Sequence, residues 1–177
     1  MSLPIFQGND MPARTRLPTS LCAAVAVLAS SLSVQAQAAT SVWELVYLIE
    51  AAAPWNEGKL ARALLIPLQQ GEAGSFRSGN VKMDDGKLVE SVTFTPQRGN
   101  QAASVAVRMP PAAARTDNCL GRGDVSREYG APVRNWTSGE GATALSHFEF
   151  ARPNRGKISV AFSDATNCLT VLTVEAP

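Results

Sequence analysis

Cys119 and Cys168 bracket a short helical signal followed by three strand-length runs, and no other stretch constrains the chain as much. After Cys119-Leu120 comes a segment ending in Tyr129-Gly130-Ala131-Pro132. The runs Ala144–Ala151, Gly156–Ser163 and Cys168–Glu175 follow, so the second cysteine opens the last of them. A disulfide between the two would close a loop of about 50 residues and stabilise the fold by roughly 4 kcal/mol on the chain-entropy account. In an oxidising compartment the bridge is expected; two buried free thiols are the alternative.

The N-terminus bears on that compartment. Arg14 and Arg16 precede a short apolar run, Leu21–Leu32, and Ala36-Gln37-Ala38 supplies the small residues of a cleavage site. This is the pattern of a secretory signal, expected to occupy residues 1–38 and to be removed, with Met1 or Met11 as the start. The apolar run is too short for a permanent membrane anchor. Cys22 is not preceded by a small residue, so lipid attachment is not expected. Residues 39–177 then form a single periplasmic or secreted domain. Lys plus Arg number 16 and Asp plus Glu 15; with Arg14, Arg16 and Asp10 in the leader, the remainder is neutral. No basic stripe points to nucleic acid or to an anionic membrane surface.

Along the chain, Val42, Leu45, Val46 and Ile49 recur at helical spacing behind Ser41, a capping residue, and Pro54 stops that helix. Residues 56–68 read equally as a helix (Leu60, Leu64, Leu65) or a buried strand (Leu64–Ile66). Gln69–Asn80, rich in glycine, reads as a loop. Asp84-Asp85-Gly86-Lys87 is a hairpin turn between Val81–Met83 and the run from Leu88. Val92 and Phe94, then Val105 and Val107, alternate with polar neighbours as in half-buried strands, with Gln97–Asn100 turning the chain between them. The stiff run Met109–Ala114 marks an internal boundary near 110–115.

In the C-terminal half Asp124 is a candidate cap for a helix whose inner side is Val125 and Tyr129, and Gly130 and Pro132 end it. Arg134–Gly141 reads as a polar loop. Phe148, Phe150, Val160 and Phe162 share one side of the following strands. His147, Glu149, Ser159 and Ser163 share the other, with Arg108 a candidate to join them. Helices on the first side and solvent on the second give an α+β fold: an antiparallel sheet with helices packed on one face. Helix-then-strands occurs twice, in 41–109 and 120–175, the outline of a degenerate tandem.

Taken together, Val125…Tyr129-Gly130-Ala131-Pro132, His147–Arg152, Ile158–Ser163 and Cys168–Val174 resemble the SmpA/OmlA (BamE) family. The same module, in tandem, builds the β-lactamase inhibitor protein. The pattern is a short helix ending in leucine-Gly-x-Pro, a hairpin with an aromatic first strand, and a last strand after a turn. The likeness covers the C-terminal part only. Tyr129 replaces the usual leucine, the helix is about a turn shorter, and no lipidation cysteine is present, so membrane anchoring and the outer-membrane assembly machine are not implied. What the resemblance implies is a non-enzymatic module that binds another protein through its open sheet face and loops.

Candidate site residues follow. Trp136, beside Arg134 and Asn135, is either a lid on the core or an exposed aromatic anchor of the kind that dominates interfaces; Trp55 has the same two readings. His147, Glu149 and Ser159 complete the expected binding surface. The partner is expected to be a periplasmic or envelope protein, in the sharper form a secreted cell-wall hydrolase that this protein inhibits or confers immunity to. The alternative is a small hydrolase in which His147, oriented by Glu149, acts as base toward Ser159 or Ser163. Arg122-Gly123-Asp124 is a chance tripeptide, and the Asn135-Trp136-Thr137 sequon is expected to be empty. With one histidine and two cysteines no metal set forms, and no cofactor is expected.

Overall fold

The computed structural model describes residues 39–111, 116–153 and 155–176. The expected leader, 1–38, and the centre of the proline-alanine connector, 112–115, lie outside the described residues. The first helix, α1 (Val42–Ala51), forms where the apolar spacing places it: Val42, Leu45, Val46 and Ile49 are all buried. The Ser41 hydroxyl accepts from the Glu44 N–H at 3.2 Å, satisfying one of the free donors of the first turn. Of the two readings of 56–68 the helix prevails. Asn56 caps α2 (Glu57–Leu64) by accepting from the Lys59 N–H at 2.9 Å. Leu65, in the left-handed region at φ 56°, ends it.

The strands that follow are β1 (Gln69–Gln70), β2 (Phe76–Arg77), β3 (Val81–Lys82), β4 (Leu88–Val89), β5 (Ser91–Thr95) and β6 (Ser104–Arg108). After the connector come α3 (Arg122–Tyr129), β7 (Arg134–Ser138), β8 (Leu145–Arg152), β9 (Gly156–Ser163) and β10 (Leu169–Glu175). β3 and β4 make a separate hairpin around the Asp84–Lys87 turn. The other eight form one antiparallel sheet in the order β1-β2-β5-β6-β10-β9-β8-β7. The protein is therefore of the α+β class. On either side of the β6/β10 junction the strands run outward from last to first, so the two halves of the chain share one topology and meet through their final strands. The sheet passes unbroken across the 110–115 boundary.

Strand alternation sorts the two faces. Val92, Phe94, Val105, Val107, Phe150, Ile158, Val160, Phe162, Leu172 and Val174 are buried in one cluster with Leu45, Val46 and Ile49 of α1, Leu60 and Leu64 of α2 and Val125 of α3. The opposite face carries Thr93, Arg108, Glu149, Ser159 and Thr173 and is covered by no described helix. Central β10 needs apolar residues on both sides: Leu172 enters the core while Val171 lies on the open face beside Ala161.

Cys119 and Cys168 form a disulfide with Cα atoms 5.1 Å apart. It fastens the approach to α3 to the start of β10, where the Leu169 N–H also donates to the Leu120 carbonyl at 2.8 Å. At the N-terminus of α3, Gly121 is the cap residue, and Asp124, three residues in, accepts from the Gly121 N–H at 2.9 Å. Asp124 thus supports the helix start from within the first turn, where sequence reading placed it at the cap. A second tie is ionic: Arg152 at the end of β8 reaches the buried Glu50 of α1 at 2.9 Å. Among the described residues no helix is long and apolar enough to cross a membrane.

Candidate functional site on the open sheet face

The site is built on β7, a segment that reads from sequence as a polar loop. Arg134–Ser138 instead pairs with β8 in the register Arg134↔Glu149, Trp136↔His147, Ser138↔Leu145. All five residues are exposed, because β7 ends the sheet and projects past the helical layer. A strand with neither face buried has no apolar alternation to betray it. Its signal lies in cross-strand partners, which one sequence does not display.

The register sets Trp136 against His147. Their rings stack at 4.9 Å between centroids and 6° between planes. The Arg134 guanidinium also lies over the indole, 5.3 Å from the ring centroid. Trp136 remains 38% exposed, so it is not a lid on the core. Trp55 is different: its indole N–H donates to the Ile49 carbonyl at 2.7 Å and its ring packs against the core cluster. Of the two ambiguous tryptophans, one is structural and one is displayed.

His147 Nε2 lies 2.6 Å from the Ser138 hydroxyl, on the far side of Trp136 from Arg134 along β7. The serines expected to meet the imidazole lie elsewhere: Ser159 opposes Glu149, and Ser163 opposes Leu145. Glu149 does not orient the imidazole. It faces Lys157 at 3.5 Å, and Lys157 also reaches Glu175 at 3.1 Å. Hydrogen bonding to Glu175 is the main cause that holds the Lys157 ammonium above its ordinary range; burial opposes it next, and the charges of Glu175 and Glu149 add to the rise. Asp164, just past the end of β9, is engaged by the Ser146 hydroxyl at 2.5 Å and by Arg122 at 3.4 Å.

These residues lie in register rows across the face. One row runs Arg108, Val171, Ala161, His147, Trp136; the next runs Ala106, Thr173, Ser159, Glu149, Arg134. The expected surface residues Arg134, Trp136, His147, Glu149 and Ser159 are therefore neighbours on one face. Beside the first row a cleft of about 500 Å³ opens between Arg108, Leu145, Val171 and the turn at Ala165 and Thr166. Sequence reading had Arg108 and Ser163 of this cleft and not the rest, because most of its lining comes from loops brought together by the sheet. Among the described residues no group of three or more His, Cys, Asp or Glu is arranged to hold a metal ion. The chain matches no family model, no curated protein and no solved structure.

Proposed function

We propose that this protein is a binding module for another protein, working through the open sheet face and its β7 edge in the periplasm or outside the cell. The observation that carries the reading is the Arg134–Trp136–His147 stack, an ordered aromatic on an edge strand with no structural employment. Indole and guanidinium groups dominate binding energy at protein interfaces, and pre-stacking removes much of the rotamer entropy otherwise lost on docking. The polar, ion-paired remainder of the face suits the rim of such an interface. The sharper form is an inhibitor or immunity protein that blocks a secreted cell-wall hydrolase; the cysteine pair and the leader-like N-terminus support the compartment that form requires. The test is capture from an envelope extract with the natural protein and with Trp136→Ala. A partner retained by the first and lost by the second is expected; equal capture by both overturns the reading.

A second reading rests on the 2.6 Å contact between Ser138 and His147. There His147 would take the Ser138 proton as that oxygen attacks an ester or amide. Against it, Glu149 is held by Lys157 and not by the imidazole, so the base lacks the carboxylate that would fix its tautomer. Turnover of a chromogenic ester that disappears with both Ser138→Ala and His147→Ala would establish this second reading in place of the first.

A further inference from the structure

Charge on the open face is unevenly paired. Glu149 and Glu175 share Lys157, and Glu90 meets Arg77 at 3.6 Å. Arg134 rests on an indole. Arg108 is exposed and makes no ion pair among the described residues; it lines the cleft of about 500 Å³ together with Glu90, whose carboxylate is held by Arg77. The lining includes an apolar patch of Leu145, Val171, Ala142 and Pro111, with Ser163, Thr166 and Thr170 beside it. An arginine that makes no ion pair, beside an apolar patch and with the cleft's one carboxylate already held by Arg77, suits a carboxylate attached next to an apolar group.

The row through Arg108 argues for a chain and not a free acid. It crosses five strands, roughly 19 Å at the usual strand spacing of about 4.8 Å. At its middle Ala161 is the smallest side chain, buried between Val171 and His147. The face is therefore shallowest at its centre, with a cation at one end and the Trp136 stack at the other.

We propose that the cleft receives an Asp or Glu of the partner protein, carried on a loop that crosses the strands from Arg108 to Trp136. The loop's carboxylate pairs with Arg108, and its apolar neighbour packs against Leu145 and Val171. This rests on the protein-binding reading and names the chemistry that the partner must present.

The test is selection of disulfide-closed peptide loops from a displayed random library on the immobilised protein. Selected loops should join an acidic residue to an apolar one. Their affinity should fall roughly ten- to hundredfold with Arg108→Gln, the range expected of a charged hydrogen-bonded pair, with the unfolding midpoint unchanged. Exchanging the signs, Arg108→Glu against a loop whose acid is replaced by lysine, should restore binding. Loops without an acidic preference that respond to Trp136→Ala and not to Arg108→Gln would overturn this proposal while leaving the binding module standing. Failure to select any loop overturns it, as does tight binding of octanoate to the Arg108 cleft with no loop enriched.

Discussion

Trp136 and His147 face each other across the β7–β8 ladder with their rings parallel to within 6° and 4.9 Å apart. Both side chains stand on the face away from the helices, so the contact stiffens an exposed surface and contributes little to the core. Replacing Trp136 with alanine removes one stacked pair and one cation–π contact, together about 1 kcal/mol at a half-exposed site. Urea unfolding should show a loss of that size. A loss above about 3 kcal/mol, as for truncating a core aromatic, would mean that the indole packs the interior.

The disulfide should carry a larger share. Reduction, or Cys119→Ser with Cys168→Ser, releases a 49-residue separation and should lower stability by about 2–4 kcal/mol. Unfolding midpoints measured with and without reductant give the value directly. An unchanged midpoint would mean that the pair is not joined in the protein as isolated.

Glu50 and Arg152 tie α1 to the end of β8 at 2.9 Å, with the Glu50 side chain only 5% exposed. Removing Glu50 leaves Arg152 without its ion-pair partner, and removing Arg152 leaves Glu50 only a 4.0 Å contact with Arg155, so each single alanine substitution should cost up to about 3 kcal/mol. The double substitution should cost clearly less than the sum of the singles, because no orphaned charge remains. Strict additivity in a double-mutant cycle would show that the two groups act independently.

Alkaline pH should weaken the fold. Burial, reinforced by the charge of Glu128, pushes the Tyr129 phenol well above its ordinary range. Hydrogen bonding to Glu175 raises Lys157 in the same direction. For a raised group the folded state holds more protons than the unfolded one, so the contribution is complete below the unfolded pKa and declines as pH climbs. With unfolded tyrosine near 10, the decline should begin at about pH 9 to 10. Tyr129→Phe keeps the contacts with Trp43 and Phe150 and should flatten that limb while leaving neutral-pH stability nearly unchanged. An identical alkaline limb in the variant would refute the assignment.

The legible parts of the chain were those in which burial imposes a period. α1 shows its four buried positions in the spacing of Val42, Leu45, Val46 and Ile49. β5, β6, β8, β9 and β10 show theirs by alternation, and Asp84–Lys87 shows its turn by composition. What escaped has no period to show. β7 is exposed on both sides, and β1 and β2 are two residues each, held by Gln70↔Phe76 and Phe76↔Phe94 pairings far apart in sequence. The Ser138–His147 contact escaped with β7, since Ser138 reaches the imidazole only once that strand is laid beside β8. Ser159 and Glu149 were correctly assigned to the histidine's face, yet register sets them opposite each other and ties Glu149 to Lys157.

Photo-crosslinking from single positions tests the central claim most directly. A photoreactive residue at Arg134 or Ser159 on the open face, compared with Ser126 or Arg127 on α3, reports which side of the molecule touches another protein in the living cell. Covalent adducts to one protein from the two open-face positions, and none from the two α3 positions, are predicted. Adducts confined to α3, or none from the open face, would contradict the account.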